Sequence, residues 1–322
     1  MIYLNEKDIK KLGINWNKSI EVIMKTVECL KENDCCQPIK PYLRFKDLQN
    51  RIIAMPAFIG KEFDIAGVKW IASFPKNIEK NIPRAHSVTI LNSSITGEVI
   101  AIINTSLLSI IRTASVSGFV LKQFDKIRPL VNFNLGIIGW GPIGQHHFDM
   151  VTTLFGDNIS KIYLYDVRKI DKNSINHRLK HKIIIAENWE EAYSDADILI
   201  TCTTSKTRYI DKKPKKGSIL LNVSLRDFKA DIYEHTKKNI IVDDWTEVCR
   251  ENTDIEMLHN EKGLQKKDTI SIIDLISNDL SKKICLNEAI MFNPMGMAIF
   301  DIAIGAQYYD KAKKEKVGQF LE

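Results

Sequence analysis

The segment "NFNLGIIGWGPIGQHH", residues 132–147, limits the possible folds more than any other part of the chain. An apolar run leads into Gly139-x-Gly141-x-x-Gly144, and "FDMVTTLFG" continues with helical character. Strand, glycine turn and helix in that order open a parallel α/β domain. Glycines permit the tight turn and let backbone N–H groups at the helix N-terminus approach a pyrophosphate. "KIYLYD" ends the next strand with Asp166, roughly 20 residues past Gly144, where an acid accepts ribose hydroxyls. A carboxylate there repels a 2′-phosphate, so NAD is expected over NADP; Arg168 nearby is the residue type that accommodates one. His146 and His147 have no further ligands at metal spacing, so no metal is expected.

From residue 135 the chain alternates between strand and helix. "LGIIG", "KIYLYD", "KIIIA", "ADILITCTT", "GSILLNVS" and "NIIVDD" are nearly uninterrupted apolar runs, as parallel strands buried on both faces must be. Ahead of them, residues 17–30 carry Ile20, Ile23, Met24, Val27 and Leu30 at helical spacing. "RIIAMPAFIG", "DIAGVKWIAS" and "HSVTILNSSITGEVIAII" suggest an antiparallel or mixed sheet with a hairpin at "NSSITGE". A last helix is expected over roughly 294–312. The fold class is therefore α/β, a Rossmann-type domain over 116–293 beside a discontinuous α+β domain from 1–115 and 294–322.

The 322 residues carry a formal net charge of +6, with lysines interleaved among acids. No basic stripe with aromatics appears, which speaks against nucleic acid and suits a small anionic ligand. Six cysteines lack metal spacing and a CxxC, as in a reduced cytoplasmic protein. The N-terminus lacks an apolar signal core. Residues 99–121 are apolar but contain Arg112 and an Asn, so a buried strand and helix are expected, with the helix beginning near Thr105, and no membrane span.

Two cations sit where apolar residues belong. Lys69 lies between Val68 and Trp70; it either snorkels from an edge strand or meets an anion. Arg112 is the one charged side chain between Glu98 and Lys122, and its partner is a buried carboxylate of protein or ligand. Arg44 in "KPYLRF" is a weaker candidate. Asp227, in "LLNVSLRDF", follows a parallel strand's C-terminal end, where α/β sheets bind ligands; it is a general-base candidate or a helix N-cap.

"GVKWIASFPKN", "NSSITGEVIAII", "IIRTASVSG", "GWGPIGQ", "ILITCTTS" and "NPMGMAIFDIA" together resemble the ornithine cyclodeaminase/mu-crystallin family along essentially the whole chain. "QPIKPYLR", "RIIAMPAFIG", "IVDDW" and "NPMGMAI" point to one branch, in which the resemblance implies NAD-dependent oxidative hydrolysis of N-(2-amino-2-carboxyethyl)-L-glutamate. The products would be 2-oxoglutarate and L-2,3-diaminopropionate, the latter a precursor of siderophores and peptide antibiotics. The resemblance further implies a homodimer, with an amino-acid substrate held between the domains. It assigns substrate carboxylates to Arg44, Lys69 and Arg112, and catalysis to Lys69 and Asp227. Cofactor contacts fall on Arg112, Thr113, Gly139, Gly141, Pro142, Ile143, Asp166, Thr203, Thr204, Ser224 and Gly296. "NVSLRDF" stands where cyclodeaminases carry a glycine-rich segment, which argues against ornithine cyclisation. "NPMG" replaces a Lys-containing "KSVG"-like run of many relatives. Alternatives within the family are ornithine cyclodeaminase, alanine dehydrogenase or ketimine reductase activity, or a non-catalytic mu-crystallin-like binding protein.

Overall fold

In the computed structural model, which describes residues 1–175 and 177–322, the chain divides into two units: Met1–Phe119 with Gly296–Glu322, and Val120–Met295. The first unit opens with strand β1 (Ile2–Asn5) and helices α1 (Glu6–Leu12) and α2 (Trp16–Lys31). The Asn5 side chain caps α1 and the Asn15 side chain caps α2, accepting from backbone N–H groups that a helix start leaves unpaired. Helix α2 buries Ile20, Ile23 and Val27 of the predicted stripe, while Met24 and Leu30 are half-buried.

Short strands β2 (Cys35–Cys36) and β3 (Tyr42–Leu43) flank a meander of β4 (Arg51–Ile59), β5 (Ile65–Ser73), β6 (Ala85–Ser93) and β7 (Val99–Asn104). The hairpin between β6 and β7 falls in the expected "NSSITGE" segment. Helix α3 (Leu107–Ile127) follows, its start stapled by the Thr105 hydroxyl accepting from the Leu107 N–H at 3.1 Å.

The second unit alternates β8 (Phe133–Ile138), α4 (Pro142–Phe155), β9 (Ile159–Tyr165), β10 (Ile183–Ile185), α5 (Trp189–Ser194) and β11 (Ile198–Thr201). It continues through β12 (Ile219–Asn222), α6 (Tyr233–Thr236), β13 (Ile240–Val242), α7 (Trp245–Val248) and α8 (Asp254–Lys262). Strand β14 (Ile270–Ser271), α9 (Leu280–Lys283) and β15 (Ile290–Asn293) complete it. All pairings in this sheet are parallel, in the order β10-β9-β8-β11-β12-β15-β13-β14. Its first five strands have the doubly wound order, which reverses between β8 and β11.

The chain then returns to the first unit as α10 (Ala298–Glu315) and β16 (Gln319–Phe320), which pairs with β1. The first sheet runs β16-β1-β7-β6-β5-β4-β2, with β3 also on β4, and α10 packs on β4, β5, β6 and α2. One expectation needs correction here. The last helix begins at Ala298 rather than near 294, because Gly296 has φ +86°, outside the helical region. The preceding "IMFN" is β15, inserted between β12 and β13.

Candidate functional site

In the second unit the glycines divide the work of the turn after β8. Gly139 has φ +100°, and a Cβ there would lie 2.6 Å from the Cys202 carbonyl. A Cβ at Gly144 would lie 2.0 Å from the Gly139 carbonyl oxygen, so glycine lets α4 start directly under the turn. At Gly141, the residue preceding α4, a Cβ would meet nothing within 4 Å. That open side faces the first turn of a 14-residue helix, with Pro142 in its N-terminal turn and the following N–H groups lacking intrahelical acceptors. The arrangement suits a phosphate.

Asp166 stands at the end of β9 and ties the turn to it. Its carboxylate accepts from the Trp140 N–H at 2.7 Å and from the Arg168 N–H at 2.9 Å. The Arg168 guanidinium donates to it at 3.1 Å. Burial alone would raise this carboxyl; the Arg168 side chain and the two backbone donors outweigh burial and hold it below the usual carboxylate range. His147 is buried, its Nδ1 2.8 Å from the Ile143 carbonyl oxygen, and burial pushes its imidazole down to about 4, so it is neutral near pH 7.

Beyond β11 and β12 lies a second cluster. The Thr203 and Ser224 hydroxyls both donate to the fully buried Asp227 carboxylate. The loop that carries Asp227 is held from behind by Asp254, which accepts from the Asp227 and Phe228 N–H groups, each at 3.2 Å. Asp254 is itself fixed by Arg208 Nε at 2.7 Å and by Asn222 Nδ2 at 3.0 Å. The Asn222 Oδ1 accepts from the Leu225 N–H at 3.1 Å, steadying a residue with φ +64°. Asp227 caps no helix, since the next helical turn starts at Ala230 behind Lys229. Of the other residues in view, Thr204 is exposed.

The first unit holds a cluster of buried charge. Lys69 on β5 places Nζ 2.8 Å from Asp301 Oδ2, and Arg112 on α3 places Nε 2.9 Å from Asp301 Oδ1. The side chains of Lys69, Arg112 and Asp301 are 2%, 9% and 1% exposed, so neither cation snorkels to solvent. Lys40 is also buried, donating to the Gly296 carbonyl at 2.9 Å. A Cβ at Gly296 would lie 2.6 Å from Arg112 Nη1; glycine makes room for the guanidinium. Burial, with the charges of Arg112 and Lys40, drives the Lys69 ammonium down to about 7 against the opposing pull of Asp301. Burial would raise Asp301, but Arg112 and Lys69 hold it below the ordinary range.

The predicted residues thus gather into three sets. Gly139, Gly141, Pro142, Ile143 and Asp166 form the turn, and Thr203, Ser224 and Asp227 the second cluster; Lys69, Arg112 and Gly296 form the third. Thr113 bonds back to the Ser109 carbonyl on its own helix at 2.7 Å. Arg44 is exposed, with its guanidinium 5.2 Å from the Tyr42 ring centre, whereas Lys40 in the same segment takes the buried place. Lys40 and Asp301 were missed from sequence. Asp301 carried the same signal as Arg112, being the one charged residue between Glu288 and Asp310.

The chain matches the ornithine cyclodeaminase/mu-crystallin family over residues 5–316. It is 35% identical over 337 residues to the N-((2S)-2-amino-2-carboxyethyl)-L-glutamate dehydrogenase of Staphylococcus aureus, spanning 100% of this chain and 98% of that one. Thermococcus litoralis Delta(1)-pyrroline-2-carboxylate reductase, solved with NADH and L-proline, superposes with a TM-score of 0.84 at 22% identity, covering 100% of both chains. An archaeal alanine dehydrogenase dimer with bound NAD gives 0.81 at 20% identity, over 100% of this chain and 99% of the other. These likenesses bear on the fold, a Rossmann-type domain joined to an α+β domain. By sequence, the chain belongs to the ornithine cyclodeaminase/mu-crystallin family.

Proposed function

We propose that this protein is a cytoplasmic, NAD-dependent enzyme that oxidatively hydrolyses N-(2-amino-2-carboxyethyl)-L-glutamate. The substrate, NAD⁺ and water give 2-oxoglutarate, L-2,3-diaminopropionate, NADH and a proton. The observation that carries the assignment is the buried cationic cluster: Lys69 and Arg112 share one buried carboxylate, Asp301, and Lys40 is buried nearby on the Gly296 carbonyl. Two cations, Lys69 and Arg112, on one carboxylate give this buried group a net positive charge, which favours an anionic ligand, and this substrate carries three carboxylates. The full-length likeness to the Staphylococcus aureus enzyme supports the same substrate.

The turn residues Gly139, Gly141, Pro142 and Ile143 would hold the cofactor's phosphates, and Asp166 would accept from its ribose. Thr113, Thr204, Ser224 and Gly296 are assigned further contacts with it. When bound, NAD supplies the hydride acceptor. Arg168 is paired with Asp166, which favours NAD over its 2′-phosphorylated form.

Lys40, Lys69 and Arg112 grip carboxylates through charge-assisted hydrogen bonds, with Arg44 as an outer contact. Asp227 takes the proton from the secondary amine and later activates the water that attacks the imine carbon. Thr203 and Ser224 hold its two oxygens in place. A neutral Lys69 amine above about pH 7 cannot grip a carboxylate as an ion pair, so substrate affinity is expected to weaken as pH rises through that value.

Incubation with NAD and the aminocarboxyethyl-glutamate, followed by mass spectrometry, is expected to show both products in equal amount with NADH. Turnover of alanine or a cyclic imine in its place would overturn the substrate assignment.

The homodimer belongs to the same proposal. Ala54, Trp70 and Val88 lie side by side across β4, β5 and β6, as do Pro56, Val68 and Ile90. This face of the first sheet is apolar, and its Trp70 is 46% exposed. A second copy covering it would remove that surface from water. Sedimentation velocity should give the mass of two chains, and Trp70→Glu should shift it toward one; a single-chain mass for the unaltered protein would refute the dimer.

The six cysteines are all unpaired, in keeping with a reducing compartment.

A further inference from the structure

We propose that Asp301 is the positioning residue of the cationic cluster, its two carboxylate oxygens setting the direction of Lys69 and Arg112 so that both present donors to a substrate carboxylate. The proposal rests on the function inferred above and adds a residue to which no role has been given.

The geometry has three parts. First, the carboxylate divides its oxygens, Oδ2 to Lys69 Nζ at 2.8 Å and Oδ1 to Arg112 Nε at 2.9 Å. Binding Arg112 through Nε, the inner nitrogen of the fork, leaves its outer edge turned toward Gly296, where a Cβ would lie 2.6 Å from Nη1 and 3.1 Å from Nη2. Second, the three side chains come from different elements, β5, α3 and α10, so the carboxylate joins parts of the unit that have no backbone pairing with one another. Third, all three are buried, and an ion pair so placed is strongly directional because water cannot substitute for either partner.

The charges on Lys69 are also set from three sides. Arg112 and Lys40 push its proton off and Asp301 holds it on, with burial favouring the neutral amine. Remove the carboxylate and the remaining neighbours act in one direction.

The test uses the full-length protein with NAD bound. Lysines labelled with ¹³C at Cε are titrated by NMR, and the Lys69 signal is identified by its loss in Lys69→Arg. In the unaltered protein this signal should titrate near pH 7, and in Asp301→Asn its midpoint should fall by about one unit or more, the sign required by loss of a neighbouring negative charge. The KM for the aminocarboxyethyl-glutamate should rise about tenfold or more, while the dissociation constant for NAD stays within about twofold. An unmoved Lys69 midpoint together with an unchanged KM overturns the proposal. Should Asp301→Asn fail to fold, Asp301→Glu decides. It keeps the charge and moves it by one methylene, so the Lys69 midpoint should stay near that of the unaltered protein while KM rises; an unchanged KM in that variant overturns the positioning role. The lysine titration needs no turnover. If the unaltered protein releases neither product but the midpoint still falls in Asp301→Asn, the substrate assignment fails and the coupling of Asp301 to Lys69 stands.

Discussion

Asp227→Asn is expected to lower kcat for the aminocarboxyethyl-glutamate by about 10²–10⁴, the range that a well-placed general acid or base contributes. NAD affinity and thermal stability should change little. The substituted amide keeps the shape of the carboxylate, and its oxygen can still accept from the Thr203 hydroxyl. The loop itself is pinned through backbone N–H groups to Asp254, contacts that the substitution does not touch. Stopped-flow measurement of NADH formation separates the outcomes, because a slowed first turnover locates the loss in proton removal and hydride departure. A kcat within about threefold of the unaltered enzyme would take Asp227 out of the mechanism.

A second contrast lies within the glycine turn. Gly144→Ala places a methyl group 2.0 Å from the Gly139 carbonyl oxygen, a backbone atom that cannot swing away. Overpacking of this kind costs about 1–3 kcal/mol or more. Both the melting temperature and the affinity for NAD should fall. Gly141→Ala is the opposite case, since its methyl meets nothing within 4 Å and its backbone, at φ −81°, suits any residue. The melting temperature should hold while the NAD dissociation constant rises by about tenfold or more, if the open side of that residue is where phosphate approaches. Thermal unfolding and NAD titration on the two variants settle the matter; equal NAD affinity in Gly141→Ala and the unaltered protein would move the phosphate elsewhere.

Much of the second unit could be read from sequence because strands covered on both faces must be apolar without interruption. Six such runs were visible and six parallel strands contain them. β15 escaped, though as long as β11 and β12, because it ends at Asn293 next to a proline and only the single turn α9 precedes it to mark a crossover. In the first unit β1 was missed for another reason: it pairs in parallel with β7 and antiparallel with β16, both distant in sequence, and its four residues carry no period of their own.

The site shows the same division. Lys69 and Arg112 stood out because a lone charge in an apolar stretch demands an explanation. Their shared partner did not, because Arg112 and Asp301 are separated by 189 positions and nothing local joins them. Arg44 attracted attention as an Arg in a suggestive stretch, yet Lys40 is the buried cation of that segment, a difference decided by how the loop folds. The support beneath Asp227 was equally invisible, since Asn222 ends β12 and Asp254 opens α8, 32 positions further along the chain.

The first unit is built from both ends of the chain, and this sets an order of events on the ribosome. Residues Val120–Met295 are complete before α10 has been made, so every strand of the parallel sheet can find its neighbours while synthesis is still under way. Lys69 and Arg112, translated long before, have no Asp301 to meet until the closing helix emerges. A transcript cut short just after Met295 therefore encodes an intact nucleotide-type sheet attached to two cations whose counter-charge was never made.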